Sequence, residues 1–79
     1  MNLSELPKGG QAIVVSVRNS RELDPIAHRM RELGFVVDAP VKILARGLFK
    51  DSPLVVRVGN TRFALRKKEA ERIQIKEVI

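Results

Sequence analysis

The chain has 79 residues, 44% of them hydrophobic and 30% charged, with no cysteine and a formal net charge of +6. That length holds one domain with one core, burying only about 60% of the surface that the unfolded chain exposes. The missing thiol excludes disulfides, thiolate zinc sites and cysteine nucleophiles together, and the balance of apolar to charged residues is that of a folded soluble domain.

The opening residues, Met1 to Leu6, lack the basic-then-apolar order of a secretory signal. Apolar runs such as Ala12-Ile13-Val14-Val15 are strand-sized, far short of the roughly 20 residues a spanning helix needs. A cytoplasmic domain with no transmembrane segment is therefore expected. Lys8-Gly9-Gly10 reads as a turn into the first strand. From Ala12 to Val17 the pattern alternates, with Ile13, Val15 and Val17 predicted on the inner face.

Arg18 to Asp24 is polar and turn-like. Asp24-Pro25 then starts a helix, with Asp24 as N-cap and Pro25 at the first helical position. Ile26, Met30 and Leu33 follow at helical spacing with Ala27 beside them. Gly34 stands where a left-handed cap ends the helix, so the helix is placed near residues 25–33. Asp24, His28 and Glu32, four apart, form a second stripe on the far side, facing water. Carboxylates with an imidazole can hold a divalent ion. A metal site, however, needs a fourth ligand and supporting groups that the sequence does not supply. A solvated helix face is the simpler reading, and neither a metal nor a cofactor is expected.

The second half is again β. Val41, Ile43 and Ala45 alternate with Lys42 and Arg46, and Leu54, Val56 and Val58 with Arg57. Gly59-Asn60 is a two-residue hairpin turn of the II′ kind, returning through Phe63 and Leu65. Lys67 to Arg72 has room for one helical turn, and Ile73 and Ile75 alternate as a last strand. The expectation is a mostly β fold: a small barrel of about five strands, one short helix and a helical turn near 67–72. Its core would be Ile13, Val15, Val17, Ile26, Met30, Leu33, Val41, Ile43, Val56, Val58, Phe63, Leu65, Ile73 and Ile75.

Catalysis finds little to work with. Serines 4, 16, 20 and 52 and Thr61 share one histidine, His28, and nothing brings a nucleophile, base and orienting group together. A non-enzymatic role is expected. Between Lys42 and Lys68, Lys42, Arg46, Lys50, Arg57, Arg62, Arg66, Lys67 and Lys68 face Asp51 alone. Such a basic half can meet nucleic acid, anionic lipid or an acidic protein face. Nucleic acid is disfavoured, because Phe35 and Phe63 are expected to pack and only Phe49 is left as a stacking platform. The segment Arg46–Pro53 is predicted as a loop. In it Leu48 and Phe49, flanked by Arg46 and Lys50, form an apolar pair with a charged rim suited to partner contact. The same pair could instead plug a barrel end. Arg66-Lys67-Lys68 beside Glu69 and Glu71 reads as a solvated turn or as a docking run.

Three further patterns run in family order along nearly the whole chain. They are Leu3-Ser4-Glu5-Leu6 with Lys8-Gly9; Arg29-Met30-Arg31-Glu32-Leu33-Gly34-Phe35; and Ala64-Leu65-Arg66 with Glu69-Ala70 and Ile73. Together they resemble the ferrous iron transport protein A (FeoA) family. Where that family has Pro-Gly after the helix, this chain has Val37-Asp38, with Pro40 two residues on. The glycine usual before Pro53 is also missing. The resemblance implies a cytosolic SH3-like domain acting on the large FeoB-type membrane transporter, which carries a cytosolic G-protein domain. A similar small domain ends iron-dependent repressors like the diphtheria toxin repressor, so a metal-responsive regulatory module is the alternative it implies. This chain has no DNA-reading helix-turn-helix.

Overall fold

The structure, a computed structural model, describes residues 1–49 and 52–78. A 3-10 turn over Leu3–Glu5 leads into β1 (Gln11–Val17), α1 (Pro25–Leu33), β2 (Pro40–Phe49), β3 (Ser52–Val58), β4 (Thr61–Leu65), the short helix α2 (Lys67–Ala70) and β5 (Ile73–Glu77). Among the described residues, five strands form one antiparallel sheet in the order β4-β3-β2-β1-β5. The mostly β architecture, the helix over residues 25–33 and the second helical turn agree with the sequence reading. β4 and β5 lie at opposite ends of the sheet order, and α2 carries the chain from one to the other.

Local chemistry sets the boundaries of α1. Asp24 Oδ1 accepts from the Ile26 and Ala27 amides at 3.1 and 3.2 Å, meeting two of the donors a helix start leaves orphaned. Gly34 ends the helix at φ 112°, a backbone that L side chains rarely adopt. Gly59 has φ 58° and is flanked by the paired Val58 and Thr61, which completes the two-residue β3–β4 turn.

One core serves all five strands. Leu3, Leu6, Val14, Met30, Phe35, Ile43, Leu54, Val56, Leu65 and Ile73 are each at most 2% exposed, and each such aliphatic or aromatic side chain contributes about 1.5–3 kcal/mol by leaving water. The inner face of β1 differs from the sequence expectation. Ala12 and Val14 are buried, Ile13 and Val17 are half-buried, and Val15 is 46% exposed. The cause is a bulge: Val14 pairs with Ile75 and Val17 with Ile73, so β1 carries one residue more than β5 across that stretch. A bulge breaks a strict period of two and bends the strand. Ile26, Leu33 and Phe63, also expected inside, are half-buried. The core draws instead on Leu3 and Leu6 from the N-terminal turn and on Ala27, Phe35, Leu54 and Ala70.

The segment predicted as a loop from Arg46 to Pro53 is largely strand. β2 runs on to Phe49 and β3 begins at Ser52. Two register shifts in β2, between Ile43 and Ala45 and between Arg46 and Phe49, let it bend round the core while it stays paired.

Candidate partner-binding surface

Arg46 was expected on the outer face, alternating with Val41, Ile43 and Ala45. The first register shift in β2 reverses that alternation, so Arg46 pairs with Leu54, a residue buried in the core. Its half-buried guanidinium reaches the N-terminal turn, donating to the Leu6 carbonyl and, at 2.9 Å, to the Ser4 carbonyl. It thereby joins the β2–β3 hairpin to a segment 40 residues earlier in the chain. Hydrogen bonds from a charged donor to a carbonyl contribute about 1.5–3 kcal/mol. Arg46→Ala is therefore expected to destabilise the domain by about 2 kcal/mol and to speed amide exchange of Gly9 and Gly10. A loss within 0.5 kcal/mol in urea unfolding, roughly that of an ordinary surface change, would contradict the clamp. The side chains of Leu48 and Phe49, and the whole of Lys50, lie outside the described residues.

The α1 stripe divides. His28 Nε2 and Glu32 Oε1 are exposed and 3.1 Å apart. Asp24, expected to face water with them, is buried at 5% exposure. Its Oδ2 accepts from the Ser20 amide at 2.8 Å, the Ser20 hydroxyl at 3.0 Å and Arg72 Nε at 3.0 Å. Arg72 also donates to the Lys68 carbonyl at 2.8 Å and to the Ser20 hydroxyl at 2.9 Å. Both Asp24 oxygens are thus spent on capping α1 and on tying the β1–α1 connection to the residue before β5. Among the described residues no group of three or more His, Asp or Glu is placed to hold a metal ion.

The Ser20 amide, opposed by burial and helped by the Arg72 guanidinium and the Ala27 amide, holds the Asp24 carboxyl well below the usual carboxylate range. A lowered folded-state value means that the unfolded chain takes up the proton first as pH falls. The stabilisation is therefore complete above about pH 3.9, the unperturbed aspartate value, and drains away as pH drops below it. Asp24→Asn is expected to lower the thermal midpoint at pH 7 and to flatten its acid dependence below pH 4. Parent and variant melting curves that keep a constant offset from pH 7 to pH 2 would refute this.

Arg66, Lys67 and Lys68 are exposed at the start of α2, where Glu69 caps the Arg66 amide at 2.8 Å. Sequence reasoning missed Arg72 and Ser20 as partners of Asp24. A short polar residue four before an N-cap was the only available hint.

The FeoA domain family model matches residues 1–77. FeoA of Stenotrophomonas maltophilia, solved in complex with zinc and described as an SH3-domain protein and candidate ferrous iron transport activating factor, is 49% identical, with a TM-score of 0.89. The match covers 96% of this chain and 89% of that one. FeoA of Chlorobium tepidum is 32% identical over 100% of this chain and 71% of that one, with a TM-score of 0.79. A manganese-dependent transcriptional repressor shares the fold at 17% identity and a TM-score of 0.83, over 99% of this chain and 41% of that one. None of the curated proteins matches. No described helix is long and apolar enough to cross a membrane.

Proposed function

Since the chain belongs to the FeoA family, a family of small SH3-like domains linked to ferrous iron transport, we propose that it is a non-enzymatic accessory protein of ferrous iron uptake. It works in the cytoplasm and binds the cytosolic, G-protein-bearing part of a FeoB-type membrane transporter. The observation that carries this reading is the family match over residues 1–77. The 49% identity to a protein described as a candidate transport activating factor supports it.

The contact is assigned to the far end of the β2–β3 hairpin. Leu48 and Phe49 supply apolar anchors and Lys50 a charged rim. Arg46, engaged with the Ser4 and Leu6 carbonyls, ties the hairpin to the N-terminal turn. Titrating the isotopically labelled domain with the transporter's G-protein domain tests the reading. Shift changes are expected over residues 46–53, weakened in Phe49→Ala. An unchanged spectrum at concentrations suited to a weak complex rejects the partner.

A further inference from the structure

We propose that Lys42, Arg57 and Arg62 form a docking row for an acidic helix of a partner protein, an inference that rests on the partner-binding reading above. Lys42 of β2 pairs directly with Arg57 of β3, which pairs directly with Arg62 of β4. Directly opposed residues share a face, with Cβ atoms about 5 Å apart. Their neighbours Val41 and Val58, and Ile43 and Val56, point into the core, so the three cations line the outer face. Arg57 and Arg62 are exposed and Lys42 is half-buried. A shallow cavity of about 100 Å³ beside Gln11, Lys42, Arg57 and Gly59 adjoins the row.

Like charges directly opposite one another destabilise a sheet. From Pro40 to Leu65 the sequence has one carboxylate, Asp51. The ion pairs His28–Glu32, Arg29–Glu69 and Arg72–Asp24 lie elsewhere. The side chains of Lys42, Arg57 and Arg62 make neither a hydrogen bond nor an ion pair among the described residues. Among the described residues, therefore, no side chain neutralises this repulsive row, and a partner can supply its counter-charge.

Spacing selects the occupant. Strands lie about 4.8 Å apart, so the row spans about 10 Å. Along an α-helix, carboxylates at i, i+4 and i+7 share one face and span about 10.5 Å at 1.5 Å per residue. Same-face residues of an extended strand recur every ~6.7 Å and fall out of step. Single-stranded nucleic acid calls for aromatic platforms. The outward pair next to the row is Val55 and Ala64, while the Phe35 and Phe63 rings pack on each other at 6.1 Å.

The probe is a fluorescent alanine-rich helical peptide with glutamates at i, i+4 and i+7. Its control has the same length and composition with glutamates at i, i+5 and i+10, spread round the helix. By anisotropy at low salt, the parent is expected to bind the first about tenfold more tightly than the second. The combined Lys42→Gln, Arg57→Gln and Arg62→Gln variant is expected to lose that preference and to melt no lower than the parent, since it removes repulsion. The Arg66→Gln, Lys67→Gln and Lys68→Gln combination is expected to keep it. Equal binding of the two peptides, or parent-like binding by the first variant, overturns the proposal. So does tighter binding to phosphatidylserine vesicles or duplex DNA that is lost with the same three residues. The transporter's G-protein domain is titrated in parallel. If it binds parent and first variant alike, the row is overturned and the partner reading stands. If it does not bind the parent, the partner reading falls and the peptide comparison still decides the row.

Discussion

Truncating Leu3 to alanine is expected to destabilise the domain by about 3 kcal/mol, the middle of the range for emptying a buried leucine site. Leu3 is 0% exposed, although it lies at the very start of the described chain. The 3-10 turn that carries it is fastened at both ends. The Ser4 amide donates to Asn2 Oδ1 at 2.9 Å and the Asn2 amide to Glu5 Oε1 at 2.8 Å, a reciprocal cap. The Ile75 amide donates to the Met1 carbonyl at 2.9 Å, so the turn packs along β5. A cavity under a turn held this way collapses poorly, which raises its cost. Since Arg46 holds the same turn from the other side, Leu3→Ala and Arg46→Ala should not be additive. A double-mutant cycle is expected to give a coupling of about 0.5 kcal/mol or more. A Leu3→Ala loss below about 1 kcal/mol in urea unfolding would show that the turn is peripheral.

Phe35→Ala should cost still more, about 4 kcal/mol, against a total of about 5–15 kcal/mol for a typical domain. Phe35 is 1% exposed. Its amide donates to the Met30 carbonyl at 3.2 Å, so the turn past Gly34 aims the ring into the core, against Phe63 of β4. The ring thus links the end of α1 to an edge strand. Phe35→Leu, which keeps most of the volume, is expected to cost under about 1.5 kcal/mol. Chemical unfolding of the two variants separates the cases: equal losses would mean that the aromatic ring itself, rather than the volume it fills, carries the stabilisation.

Much of this could be read from the residues because it depends on local chemistry. Asp24-Pro25 and Gly34 mark the ends of α1 through donors and dihedrals that involve only neighbours. Gly59-Asn60 sets the β3–β4 register in the same way, and with it the opposition of Arg57 and Arg62, two steps out from the turn. What escaped depends on insertions that pairing alone reveals. A single extra residue in β1 turned Val15 outward, and another in β2 turned Arg46 inward; neither bulge has a glycine or proline to announce it. The N-terminal turn escaped because Leu3 and Leu6 are too few to show a period. The Val37-Asp38 departure proved mild, since Asp38 takes φ 70°, the left-handed backbone that aspartate tolerates better than most residues. The Asp24–Arg72 contact was invisible because no local rule links residues so far apart.

That contact joins positions 48 apart in sequence, and this separation bears on the order of events in folding. Closing so long a loop costs entropy before any contact rewards it, whereas the Asp24 cap on α1 needs only the next three residues. We therefore expect the cap to form early and the Arg72 bridge late, after the sheet has brought β5 beside β1. Interactions absent from the transition state act on the rate of leaving the native state. Arg72→Met should then speed unfolding while leaving refolding nearly unchanged, and stopped-flow arms in urea would show it. A slowed refolding arm would place the bridge in the nucleus instead. On this view the buried aspartate serves two clocks, one setting how fast the helix starts and the other how long the finished domain lasts.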